Sequence, residues 1–69
     1  MEEARKVGKA IGDYLKKNGI RQNFVAEWAG IREDSFSRAV KGQRVLNCVE
    51  FYKICKVLDV PMETFIEKR

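Results

Sequence analysis

Apolar residues recur at helical spacing along nearly the whole chain, and glycines interrupt the repeats. From Glu2 to Asn18 they follow the i, i+4, i+7 pattern of an amphipathic helix, and Gly19 comes directly after it. Gly8 and Gly12 lie inside this segment, where each weakens a helix by roughly 1 kcal/mol relative to alanine. Close packing is the simplest reason for glycine at such positions. The pattern therefore predicts a first helix that another part of the chain approaches closely.

Two shorter repeats follow, and only a few residues separate them. They predict a second helix over Gln22–Ala29, which Gly30 ends, and a third over Glu33–Lys41, which Gly42 ends. So short a connection around a glycine cannot lay two helices antiparallel, so the two must cross at a sharp angle.

The last third of the chain predicts one more long helix and a short terminal one. Asn47 and Glu50 have the spacing of a capping box, which opens a fourth helix that continues through Leu58. Pro61 is a favoured first residue of a helix and precedes a terminal turn. No segment has the alternation of a strand. We therefore expect an all-α fold of five helices, in a single domain that covers residues 1–69.

Composition narrows the classes of function. A chain of 69 residues has no room for a catalytic domain beside a substrate domain. It contains no histidine, the commonest general base and metal ligand, so we expect neither an enzyme nor a metal site, and no other cofactor. A core this small also leaves little room for a small-molecule pocket.

Cysteine and apolar content indicate where the protein resides. Cys48 and Cys55 are seven residues apart, too far for a disulfide along one helix, and two thiols fall short of a zinc site. They fit small buried hydrophobes in a reducing compartment. No apolar run is long enough to span a membrane and the chain does not begin with a secretory signal, so we expect a cytoplasmic protein with no membrane partner.

The balance of charge is basic. The chain has fourteen Lys and Arg and ten Asp and Glu, which gives a net charge of +4. This charge favours binding to a polyanion only where the cations lie together on one surface. Helical spacing places Asp34, Ser37, Arg38 and Lys41 on one polar face of the third helix, opposite its apolar residues. That face is a candidate binding surface.

The segment from Gly19 to Ile31 and its continuation from Ser35 to Gly42 resemble the helix-turn-helix of Cro and lambda-type phage repressors. The Leu58–Pro61 stretch before the last helix also matches, so the resemblance extends from about Val7 to Ile66. It implies a lambda-repressor-like domain and a transcriptional regulator that binds specific sequences of double-stranded DNA. The expected regulator is a repressor and a homodimer, with its third helix in the major groove.

The resemblance also implies roles for individual residues. The positions that match base contacts are Arg32, Glu33, Asp34, Ser37 and Arg38. The positions that match phosphate contacts are Gln22, Lys41, Gln43 and Arg44. Arg38 is the main candidate for reading a base, because arginine pairs with guanine through two hydrogen bonds.

Four charged residues depart from the usual family pattern. Arg21 and Arg32 stand where relatives usually have a capping Ser, Thr or Asn, and we hypothesise that both meet phosphates at the helix amino ends. Glu33 and Asp34 allow two interpretations, since a carboxylate there either stabilises the helix dipole or accepts a hydrogen bond from cytosine N4.

Phe24 and Trp28 are four residues apart on the second helix and also allow two interpretations. They form either a local pair that covers the first helix or the terminal segment, or an exposed patch for a partner protein or second subunit. Further candidates for a dimer surface are Val45, Leu46, Met62 and Phe65. An alternative function is therefore a helix-turn-helix antitoxin or antirepressor that binds a protein through the aromatic pair and has weak or no DNA binding.

Overall fold

The computed structural model describes residues 2–66, and the side chains of residues 5–66. The helices are α1 (Glu2–Lys17), α2 (Gln22–Ala29), α3 (Glu33–Val40) and α4 (Cys48–Leu58), and a single 3-10 turn follows at Met62–Phe65. No strand occurs between residues 2 and 66, so the all-α prediction is confirmed.

The prediction of five helices is wrong at the last element, which is a 3-10 turn of four residues. Pro61 comes before this turn, and its carbonyl accepts a hydrogen bond from the backbone N–H of Thr64 at 3.1 Å. The turn carries Phe65 into the core, where its ring meets Tyr14 edge-on at 5.4 Å and lies 6.3 Å from Phe51. The segment is therefore shaped by the packing of one aromatic ring on α1 and α4, without the length that an α-helix needs.

All four helices contribute to one core. Its largest fully buried side chains are Ile11, Leu15, Val25, Phe36 and Ile54. Val25, Ala26 and Ala29 of α2 are all buried, whereas Val40 of α3 and Leu58 of α4 are only partly buried at the edge of the core. The periodic pattern thus identified the correct face of each helix.

The glycines of α1 lie against α3, as their positions predicted. A Cβ added at Gly8 would collide with the carbonyl oxygen of Ala39, and one added at Gly12 would lie 3.0 Å from the Cβ of Val40. These two glycines let the α1 backbone rest directly on the last turn of α3. The third helix is therefore held by close contact with the first helix.

The two cysteines have different surroundings. Cys55 is buried in α4, and burial raises the pKa of its thiol. Cys48 is exposed, so the prediction that both are buried is wrong for this residue. It opens α4, ahead of Phe51, the first buried residue of that helix.

Candidate DNA-binding surface

A short, firmly held turn joins α2 to α3. Gly30 ends α2 in the left-handed conformation with φ 72°, a region that glycine enters without steric cost. The next residue, Ile31, donates its backbone N–H to the carbonyl of Ala26 at 2.9 Å, and its side chain is buried. Because the turn is fixed by both a hydrogen bond and burial, α2 and α3 form one rigid unit.

The polar and apolar faces of α3 are clearly separated. Phe36 and Ala39 are completely buried and fix the inner face. Of the residues predicted to contact bases, Arg32, Glu33, Asp34 and Arg38 are exposed and Ser37 is partly buried. No hydrogen bond or ion pair links the Arg38 side chain to another residue of the described segment. Its guanidinium group is thus free to bind an external acceptor.

The amino ends of α2 and α3 begin without a side-chain cap. Arg21 and Arg32 occupy the capping positions in extended backbone conformations, and neither side chain makes a capping hydrogen bond to the helix that follows. A helix start leaves its first backbone N–H groups without intrahelical acceptors, and the helix dipole is positive there. A cation at this position gains little from the helix itself. Both ends therefore suit an anion that pairs with the arginine and the N–H groups together.

Asp34 takes part in local interactions at the start of α3. Its Oδ1 accepts a hydrogen bond from the backbone N–H of Ser35 at 2.9 Å and lies 3.4 Å from the Nε of Arg32. This geometry favours the interpretation in which Asp34 stabilises the amino end of the helix. The ion pair is largely exposed, and such pairs contribute at most about 1 kcal/mol, so it does not prevent Arg32 from pairing with a phosphate.

The predicted phosphate contacts lie at two places. Arg21, Gln22, Lys41 and Gln43 are exposed, the first two at the amino end of α2 and the last two after α3. Gly42, between Lys41 and Gln43, adopts φ 79°. Its backbone N–H bonds to the carbonyl of Ala39 at 3.0 Å, which fixes this loop against the end of α3.

Arg44, the fifth predicted phosphate contact, is partly buried and paired with a carboxylate. Its Nη2 donates to Glu50 Oε2 at 2.9 Å, and its Nη1 is buried without a partner in the described structure. Glu50 also closes the predicted capping box, which is confirmed, since it accepts from the Asn47 backbone N–H at 3.1 Å while Asn47 Oδ1 accepts from Glu50 N–H at 2.8 Å. A phosphate contact by Arg44 would require it to leave this carboxylate.

The ion pair with Arg44 changes the pKa of the Glu50 carboxyl group. The hydrogen bond from Arg44 lowers the pKa of Glu50, although burial acts in the opposite direction. The hydrogen bond from the Asn47 backbone and the positive charge of Arg44 lower the pKa further. The sequence did not reveal this pair, because its six-residue spacing crosses a loop and belongs to no helical pattern.

Phe24 and Trp28 do not cover the first helix or the terminal segment. Their rings lie 6.0 Å apart, and the two side chains are 49% and 69% exposed. The structure thus supports the interpretation as an exposed patch. Trp28 also lines an open groove between α2 and α4, together with Tyr52, Lys53 and Lys56 of α4. The apolar pattern of α4 indicates only its buried face, so it does not predict that the opposite face lines this groove.

The other candidates for a protein interface differ in exposure. Val45 is exposed, whereas Leu46 and Met62 are partly buried against the core. Phe65 is only 5% exposed, so its prediction as a surface residue is wrong, because the ring fills the space between α1 and α4. Val49 was not predicted, and it is exposed on the first turn of α4.

The described part of the chain has neither a cluster of metal ligands nor a membrane-spanning helix. Within residues 2–66, no three His, Cys, Asp or Glu side chains lie together in a way that would hold a metal ion. None of the described helices combines the length and apolar character needed to cross a membrane.

Comparison with known proteins identifies the family. The profile of the Cro/C1-type HTH DNA-binding domain matches residues 10–68. The structure resembles the crystal structure of the restriction-modification controller protein C.AhdI from Aeromonas hydrophila, with a TM-score of 0.84 over 96% of this chain and 100% of that chain. The sequence identity is 20%, so this similarity shows a shared fold. No curated protein sequence matches significantly. The chain belongs to the Cro/C1-type family of helix-turn-helix DNA-binding domains.

Proposed function

We propose that this protein regulates transcription, as a repressor, by binding specific sequences of double-stranded DNA with α3 in the major groove. The observation that carries the proposal is the exposed polar face of α3, from which the unpaired Arg38 projects while Phe36 and Ala39 anchor the opposite face. A rigid helix with one polar face is what major-groove reading requires. The fold that it shares with a restriction-modification controller protein is consistent with this role.

The proposed contacts divide into base reading and backbone positioning. Arg38 reads a base, and Ser37 lies beside it on the same helix. Asp34 either stabilises the amino end of α3 or accepts a hydrogen bond from cytosine N4. Arg21, Arg32 and Gln22 bind phosphates at the helix amino ends, where the dipole and free N–H groups favour an anion. Lys41 and Gln43 bind the DNA backbone near the carboxyl end of α3. Glu33 either stabilises the dipole of α3 or accepts a hydrogen bond from a base.

A homodimer is part of the proposal. One recognition helix contacts only a few base pairs, which is too little for useful specificity in a genome. Exposed apolar side chains at Val45 and Val49, with Leu46 and Met62 at the edge of the core, provide candidate contacts. Analytical ultracentrifugation of the free protein and of its complex with duplex DNA tests this part. A single copy on each duplex at saturation would contradict it.

The decisive experiment is the selection of bound duplexes from a random pool. We expect a recovered palindromic sequence, because a two-fold symmetric dimer reads two equivalent half-sites. A mobility shift on random duplex, titrated with salt, accompanies it, and we expect weak binding that falls steeply as salt rises. A pool that remains random, together with no duplex binding at low salt, would overturn the proposed function.

The second candidate function is an interaction module that binds an acidic protein segment. The observation that favours it is the exposure of Phe24 and Trp28 beside a groove that Lys53 and Lys56 line. An exposed aromatic patch of this kind is unusual on a monomer and marks an interaction site. Absence of DNA binding at low salt, combined with saturable binding of an acidic, aromatic peptide that Trp28→Ala abolishes, would favour this candidate.

A further inference from the structure

A group of cations on α1 lies beside the loop that follows α3. Arg5, Lys6 and Lys9 line a cavity of about 270 Å³ together with Gly42. None of the described residues that line it is acidic. The helical pattern does not distinguish these cations, because on α1 they occupy the polar face of an ordinary amphipathic helix. The fold brings them to the loop that carries Lys41 and Gln43.

Gly42 fixes the position of Lys9. A Cβ added at Gly42 would lie 2.5 Å from Cε of Lys9 and 3.2 Å from its Cγ, so the aliphatic part of Lys9 lies across the bare backbone of the glycine. The ammonium group is bonded to Cε and therefore lies close to Gly42. Packing of the aliphatic stem restricts the rotamers of Lys9. The side chain therefore loses less conformational entropy when it binds a ligand.

The electrostatics of this region favour an anionic ligand. Arg5 and Lys9 line the cavity beside Gly42, and Lys41 directly precedes Gly42 in the chain. Like charges that lie close together repel each other. An anion between them converts this repulsion into attraction. The surface also lies next to α3, because Gly8 and Gly12 let α1 pack directly on the last turn of that helix.

We infer that Arg5 and Lys9 bind the phosphodiester backbone of double-stranded DNA beside the phosphate that Lys41 and Gln43 contact. The phosphate-binding surface then extends from the helix-turn-helix onto α1. Because α1 and α3 are locked together, a phosphate held on α1 also fixes how deeply α3 enters the groove. This inference rests on the proposed DNA-binding function and adds α1 to its contact surface.

The test compares matched charge removals on two faces of the molecule. The variants Lys9→Gln and Arg5→Gln remove one charge each at the proposed contact, and Lys53→Gln and Lys56→Gln remove one charge each on the exposed side of α4. Binding of each variant to a random-sequence duplex is measured across a series of salt concentrations. We expect the slope of log K against log salt to become shallower by about 0.9 for each α1 variant, the effect of one lost phosphate contact. The α4 variants should keep the wild-type slope.

Further variants separate a contact from a change of fold. Lys9→Arg keeps the charge and should keep the slope, and circular dichroism should give the same helix content for all variants. The inference is overturned if the α1 variants bind with an unchanged slope, or if the α4 variants lose as much slope as the α1 variants. If the wild-type protein binds no duplex at low salt, the proposed function fails, and this inference fails with it.

Discussion

Arg38 and Arg44 lie six residues apart, and their surroundings are opposite. The Arg38 side chain is exposed and unpaired within the described structure, whereas Arg44 is partly buried and bound to Glu50 at 2.9 Å. An arginine already paired with a carboxylate must break that bond before it binds another anion. The two residues are therefore suited to different tasks, Arg38 to recognition and Arg44 to holding the loop before α4.

The first prediction concerns Arg38. Arg38→Ala should weaken binding to the selected duplex by about 1–3 kcal/mol, roughly 5- to 150-fold, because two hydrogen bonds to a guanine are lost. Binding to random duplex should change much less, since that binding depends on phosphate contacts. Fluorescence anisotropy with both duplexes measures the difference. Arg38→Lys, which keeps the charge, serves as the control, and equal losses on the two duplexes would contradict base reading.

The second prediction concerns the pH dependence conferred by Glu50. The hydrogen bond from Arg44 holds the pKa of Glu50 below the ordinary value of about 4.3, so its contribution to stability is complete above that value and is lost as pH falls through the folded pKa. Glu50→Gln should lower the free energy of unfolding at pH 7 by about 1–2 kcal/mol. Only as pH falls below about 4.3 should the wild-type protein lose this contribution and approach the variant in stability.

Urea denaturation between pH 3 and pH 7 checks this prediction. Glu27→Gln, at an exposed carboxylate on α2, is the control and should leave both the stability at pH 7 and its dependence on acid nearly unchanged. If the stability of the wild-type and Glu50→Gln proteins changed with pH in parallel, protonation of Glu50 would not affect stability and the prediction would be contradicted.

At the scale of the elements, the contact of α1 with α3 depends on the absence of two side chains. Gly8→Ala places a Cβ against the Ala39 carbonyl, so the two helices must separate. Overpacking of this kind costs about 1–3 kcal/mol, and the gain in helix propensity offsets up to about 1 kcal/mol of it. We expect a net loss of stability in urea denaturation. Gly12→Ala meets softer contacts near Val40 and should cost less. A Gly8→Ala protein that is more stable than wild type would disprove the close contact.

The elements also show what a sequence can and cannot predict. The bounds of α2 and the capping box of Asn47 and Glu50 follow from local signals, and the structure has both. The Arg44–Glu50 pair depends on how a loop folds back, which helical periodicity does not encode. The same limit applies to Phe65, because an apolar residue near a surface turn is compatible with either a core or an interface. For the candidate DNA-binding surface, the pattern identified the polar face of α3, but not the α1 cations that tertiary packing brings beside it.

At the scale of the whole molecule, the single tryptophan reports on association. Trp28 is 69% exposed, so its fluorescence in the monomer should have the red emission of an indole in water. Burial of this surface by a second copy or a partner should shift the emission to the blue, and dilution should reverse the shift. A titration of protein concentration measures this. Emission that is blue at every concentration would contradict the exposed position of Trp28.

The separation of a buried apolar face and an exposed polar face on α3 has a consequence for how the binding specificity of such a protein evolves. Phe36 and Ala39 support the fold, while Arg38 and Lys41 face solvent and contribute little to it. Substitutions on the outer face are thus nearly neutral for stability. Under the proposed function, such substitutions would let lineages of this domain exchange one operator for another while the fold stays stable. A library randomised on that face alone offers the same freedom in the laboratory.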